Sequence, residues 1–168
     1  NIFSKYKINS KPFFSLEHKI TGESFKKKIT NISKILKKHN SEYLFVTAPE
    51  NVAWLLNIRG YDNPNSPIPN CRLMLTKNKK IFLISEKFKA IKLIREKKIR
   101  KNEILETENF ERLIDKLKSG KITIDNKTCS IYFNKVLQKK FKFLNKEDPI
   151  YLLKSIKNKN EIKNTINS

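Results

Sequence analysis

Tyr43, Leu44, Phe45 and Val46 form a run of four apolar residues with no polar break. A strand points successive side chains to opposite faces, so such a run needs cover on both sides. Helices supply that cover in α/β proteins, and the flanking sequence offers them. Upstream, "ITGESFKKKITNISKILKKHN" sets Phe25, Ile29, Ile32, Ile35 and Leu36 on one stripe at helical spacing, with lysines on the other face and Thr21 or Ser24 as the N-cap. Downstream, Pro49 ends the strand and "ENVAWLLNI" reads as a short helix.

The alternation continues. "CRLMLT" and "KIFLIS" read as two strands joined at Lys77-Asn78-Lys79 in a hairpin. "EKFKAIKLIREKKI" reads as a second long helix and "EILET" as a short strand. "NFERLIDKLKSG" repeats Phe110, Leu113, Ile114 and Leu117 at i, i+3, i+4 and i+7, with Gly120 as its C-cap. "KITID" reads as a strand, "SIYFNKVLQKK" as a helix with Phe133, Val136 and Leu137 inward, and "FKFLN" as an edge strand. Asp148 caps a last helix with Pro149 at its first position, running through "IYLLKSIKNKNEI". Residues 1–20 read as irregular. The expected fold class is α/β, a mixed β-sheet flanked by helices, in one domain without internal repeats.

Charge narrows the partners less than its size implies. The net charge is +21, which fits a polyanion such as nucleic acid. Yet only five of the 37 basic residues are Arg, and Asn and Ile are abundant throughout. Specific readers of nucleic acid lean on the planar fork of Arg. The lysines fall on polar helix faces, so the reading preferred is a solvated, compositionally biased surface; a stand-alone basic α/β nucleic-acid-binding module is the alternative. No apolar run approaches the ~18 residues of a membrane helix, and the first residues read as lacking the apolar core of a secretory signal. Cytoplasmic localisation with reduced thiols is the expectation.

Little catalytic chemistry is legible. Cys71 and Cys129 lie far apart without CxxC spacing, and His18 and His39 do not complete a metal set. A thiol paired with His39 is outweighed by the ordinary role of cysteine as a small buried apolar residue. Three ungrouped glycines exclude a phosphate-cradling loop. Asp125, closing "KITID", is the best-placed carboxylate; a strand-end turn or helix-cap role is the competing reading. The sixteen acidic residues are spread along helix surfaces and offer no two-metal site.

Three stretches carry a resemblance. "ITGESFKKKI", "LFVTAPENVAWLLNIRGYDNPNSPIPNCRLMLT" and "DPIYLLKSIKNKNEI" resemble the middle domain of three-domain aminopeptidase P, the Xaa-Pro aminopeptidases of the M24 peptidase family. Ala53, Trp54, Leu55, Leu56, Asn57, Arg59, Gly60, Asp62, Asn65 and Pro67 match the family pattern position by position, and Glu161-Ile162 adds a distant match. Thr21 stands where the family has an aromatic residue, Pro49 where it has an Asp-type turn residue, and Tyr61 where it has a small one. The likeness covers about residues 13–166.

The resemblance implies a creatinase/prolidase N-terminal domain-like fold over 21–157. It implies a linker or the tail of an upstream domain over 1–20, and over 158–168 the start of a linker helix to a C-terminal pita-bread catalytic domain in cis. That domain carries two divalent metal ions, usually manganese, on two Asp, one His and two Glu, none of them assignable here. The implied reaction removes the residue that precedes proline at a peptide N-terminus, and the implied assembly is a homodimer. This segment alone should be inactive, with no catalytic and no metal-binding residue.

Within "VAWLLNIRGYDNPNSPIPN", Val52, Trp54, Leu55 and Ile58 anchor a short helix on the sheet, Gly60 permits a sharp turn, and prolines including Pro67 stiffen the loop after it. Arg59 and Asp62 are then expected on a rigid rim that shapes the entrance to the peptide site. A core role for Trp54 and the pairing of Arg59 with Asp62 or with a helix C-terminus form the structural alternative.

Overall fold

A computed structural model describes residues 11–167. Its strands are β1 (Phe14–Ser15), β2 (Tyr43–Val46), β3 (Ile58–Arg59), β4 (Arg72–Thr76), β5 (Ile81–Ile84), β6 (Ile104–Leu105), β7 (Gly120–Ile124) and β8 (Phe141–Asn145). Its helices are α1 (His18–Thr21), α2 (Phe25–Lys38), α3 (Pro49–Leu56), α4 (Ile91–Arg95), α5 (Phe110–Lys116), α6 (Ile131–Gln138), α7 (Pro149–Ser155) and α8 (Lys159–Ile166).

Six strands form one mixed sheet in the order β6-β5-β4-β2-β7-β8. β2 pairs antiparallel with β4 and parallel with β7, so it is the hinge between a hairpin half and a parallel half. The expected hairpin forms, with Leu73 opposite Leu83 and Lys79 in the left-handed region at φ 69°. β8 lies at the edge beside β7.

Alternation along β2 explains the layers. Leu44 and Val46 enter a core with Ile29, Ile32 and Leu36 of α2 and Val52, Leu55 and Leu56 of α3. Tyr43 and Phe45 enter a second core with Phe110 and Ile114 of α5 and Phe133, Val136 and Leu137 of α6. The apolar run is thus buried on both faces, as its composition requires. Phe45, Phe110 and Phe133 pack mutually with centroids 5.0–5.4 Å apart.

Several local expectations change. Residues 11–20 are not irregular: Phe13 is fully buried, β1 pairs with β3, and α1 comes next. Of the two candidate caps Ser24 starts α2, its Oγ accepting from the Lys27 N–H at 3.3 Å, while Thr21 belongs to α1. The long helix over 86–99 is a 3-10 turn at Lys87–Ala90 and the short α4. There Lys97 turns left-handed at φ 53° so that Ile99 can reach the core. Gly120 does not cap α5: the helix ends in extended backbone at Leu117, and Gly120 opens β7, where an added Cβ would press on Glu42. The last helix is two, because Ile156 leaves helical geometry and Asn158 starts α8 with a capping box closed by Glu161. Residues 1–10 lie outside the described residues.

Candidate functional site

The conspicuous cluster lies where α1, α2, α3, β3 and α8 meet. α3 ends at Asn57, which turns left-handed at φ 52°. Asparagine tolerates that region because its side chain can bond locally; here Nδ2 donates to the carbonyl of Glu23 at 2.7 Å and Oδ1 receives Lys28 Nζ at 2.8 Å. Lys28 is 1% exposed. Its Nζ also donates to the carbonyl of Trp54 at 3.0 Å and stands 3.7 Å from the Trp54 ring centroid. Burial pulls its pKa down to about 8; Glu161 and Glu23 oppose this and neighbouring Arg59 reinforces it.

Trp54 is half-buried and donates Nε1 to Glu161 Oε1 at 3.2 Å. The tryptophan is therefore packing on one side and the wall of a cavity of about 230 Å³ on the other. Arg59 lines the same cavity, half-buried, with Nη1 donating to the Ile58 carbonyl at 2.8 Å and its pKa lowered by burial. Asp62 meets different partners: it pairs with Lys89 and accepts from the Asn70 N–H at 2.7 Å. The alternative of an Arg59–Asp62 pair is not realised among the described residues. Gly60 has no positive φ; an added Cβ would lie 2.7 Å from Pro69 Cα, so close approach rather than a sharp turn requires glycine there. Its N–H donates to the Pro67 carbonyl at 3.1 Å, closing the loop, and Pro67 itself is exposed.

α8 contributes through asparagines. Asn158, Asn160 and Asn164 donate to the carbonyls of Thr21, Lys19 and Ile20 at 2.9, 3.2 and 3.1 Å. These satisfy carbonyl groups that the short α1 leaves without helical partners.

A second polar node sits at the ends of β2 and β7. Fully buried Asn51 donates to Asp148 Oδ2 at 2.7 Å and accepts from Lys154 Nζ at 2.6 Å. Burial raises the pKa of Asp148. Asp125 proves to be a turn residue, accepting from the backbone N–H groups of Lys127 and Asp148 at 3.0 and 3.2 Å. Both cysteines are free, Cys71 buried and Cys129 half-buried. Among the described residues no group of three His, Cys, Asp or Glu could hold a metal ion.

Sequence reasoning singled out Trp54 and Arg59 and matched Asn57 to the family pattern without giving it a role, and it passed over Lys28 and Asn51. One signal for Lys28 was present: it lies four residues before Ile32 on the inward stripe of α2, where a lysine needs buried acceptors.

The class defined by this fold is a three-layer α/β domain around a mixed sheet. Residues 5–161 match the model of the Creatinase/Prolidase N-terminal domain, and the chain belongs to that family. It is 31% identical over 166 residues to "Xaa-Pro aminopeptidase 1" of Dictyostelium discoideum, covering 98% of this chain and 26% of the relative. An X-prolyl aminopeptidase of Caenorhabditis elegans, described as a cytosolic enzyme with a di-nuclear active site, superposes with a TM-score of 0.82 at 20% identity, covering 99% of this chain and 28% of that one. A proline dipeptidase structure from Streptococcus agalactiae gives a TM-score of 0.53 at 15% identity over 75% of this chain and 97% of that one. The chain spans about a quarter of the first two proteins. No helix among the described residues is long and apolar enough to cross a membrane.

Proposed function

We propose that this chain is the non-catalytic domain of a metal-dependent Xaa-Pro aminopeptidase, a cytoplasmic homodimeric hydrolase that removes the residue preceding proline. The observation that carries the reading is the match along 98% of the chain to a relative bearing that name. By family resemblance two divalent ions, manganese, belong to a C-terminal pita-bread domain in cis; among the described residues no group of three His, Cys, Asp or Glu could hold a metal ion. α8 then begins the connection to that domain. The domain supports the catalytic domain, and Arg59, with Asp62 three residues on, helps shape access of the peptide.

The test is hydrolysis by the complete gene product with Mn²⁺. Cleavage of a Xaa-Pro peptide, lost on chelation and absent for the 168-residue chain alone, is the expected outcome. A complete product that leaves Xaa-Pro peptides intact, or a short chain that cleaves them, overturns the reading. Arg59→Ala in the complete product is expected to raise KM or lower kcat with the melting temperature unchanged.

One observation favours nucleic-acid binding as a second reading. Lys26, Lys79, Lys80, Lys97, Lys98 and Arg100 surround a groove of about 750 Å³. A binder of polyanions holds at physiological ionic strength with a steep loss of affinity on added salt; loss of all binding there removes this reading.

A further inference from the structure

The cavity beneath Arg59 is unbalanced in charge. Lys28, Arg59 and Lys157 line it, against the one carboxylate of Glu161. That carboxylate is committed, Oε1 to Trp54 Nε1 and Oε2 to the Asn158 N–H. Lys28 is committed to two acceptors and the Trp54 ring. Lys157 Nζ donates to the Lys154 carbonyl, and Asn164 donates to the Ile20 carbonyl.

Arg59 differs. A guanidinium carries five N–H donors, and the bond it forms among the described residues is the one from Nη1 to the Ile58 carbonyl, with no ion pair. It is half-buried beside a second cation. Glu161 and Glu23 act on Lys28 without an ion pair among the described residues, and Arg59 has no carboxylate partner there, so an anion in the cavity would offset the cost of holding two neighbouring cations partly out of water. The planar fork of Arg matches a carboxylate through two parallel bonds. Leu16, Ile20 and Trp54 complete the lining with apolar surface for a short stem.

We propose that this cavity binds a carboxylate carried on a short aliphatic stem, gripped by Arg59 with Lys28 behind it. The inference uses residues of this chain alone and stands whether or not the peptidase reading does.

Trp54 is the one tryptophan of the chain and lines the cavity, so its fluorescence reports occupancy. The 168-residue chain is titrated with sodium propionate at constant ionic strength, beside its neutral isostere propionamide and inorganic phosphate. The expected result is a saturable change with propionate, none with propionamide, weaker binding of phosphate, and at least tenfold weaker propionate binding in Arg59→Gln. No saturable change, an equal response to propionamide, tighter binding of phosphate, or an unaltered Arg59→Gln each overturns the proposal. Where circular dichroism shows Arg59→Gln unfolded, the propionate–propionamide contrast on the unmodified chain decides. Repeating the titration on the complete gene product separates two sources of the same group. Retained binding assigns the cavity to a free acid; loss there alone assigns it to an Asp or Glu side chain of an adjoining domain.

Discussion

Replacing Lys28 with methionine isolates what a buried ammonium does for this fold. Burial holds Lys28 at a pKa of about 8 against an ordinary 10.5. The folded chain therefore binds this proton less tightly than the unfolded chain does, and its stability rises as pH climbs from about 8 to 10.5. At about 1.4 kcal/mol per tenfold the gap amounts to roughly 3 kcal/mol. The amine borders a cavity open to water, which reduces this to about 2 kcal/mol. Lys28→Met lacks that dependence. Its own cost is independent of pH: the Trp54 carbonyl and Asn57 Oδ1 lose their donor, at about 1–3 kcal/mol each, partly offset by no longer burying a charge. The stability advantage of the unmodified chain over the variant should then widen by about 2 kcal/mol between roughly pH 7 and pH 10. Tyr151, whose pKa burial raises to about 12, titrates equally in both proteins and cancels. Urea unfolding followed by circular dichroism across that pH range measures the difference. A gap constant to within about 0.5 kcal/mol would refute the claim that Lys28 is a strained buried cation.

Gly60→Ala should lower the melting temperature by several degrees, about 1–3 kcal/mol, because the new methyl meets Pro69 backbone at 2.7 Å; an unchanged melt would show that the loop yields freely. Burial raises both thiols, Cys129 to about 11 and Cys71 further. Because the thiolate is the nucleophile, iodoacetamide near neutral pH should label Cys129 slowly and Cys71 only after unfolding, as read by mass spectrometry. Equal labelling of the two in the folded chain would contradict the burial of Cys71.

Periodicity made the layers legible. The unbroken run at Tyr43–Val46 and the stripe on α2 required a sheet covered on both faces, and the two cores divide along β2 as that run demands. Irregular backbone stayed hidden. The turn at Lys97 and the break before Asn158 depend on where Ile99 and Glu161 find partners across the fold, which local propensity does not encode. The site was half legible. Trp54 and Arg59 stand out by residue type, whereas Lys28 was lost among the 37 basic residues. A buried lysine and a solvated one look alike until their acceptors are located, and those of Lys28 lie 26 and 29 residues away.

The asparagine bonds between α8 and α1 turn the domain into a closed ring. They join residues 137 to 144 positions apart, and α8 buries no side chain of its own. The entropy of bringing such distant segments together is shared with the rest of the fold, since β1 pairs with β3 just before α1 and α7 packs on α3 just before α8. The clasp can consequently open as a local unit at the cost of a few side-chain hydrogen bonds, those of the three asparagines and that of Trp54 to Glu161, while every strand stays paired. Tension applied between α1 and α8 would reach these three amides before it reached the sheet. The junction of α1 and α8 is thus bridged by side-chain bonds that lie outside the ladders of the sheet.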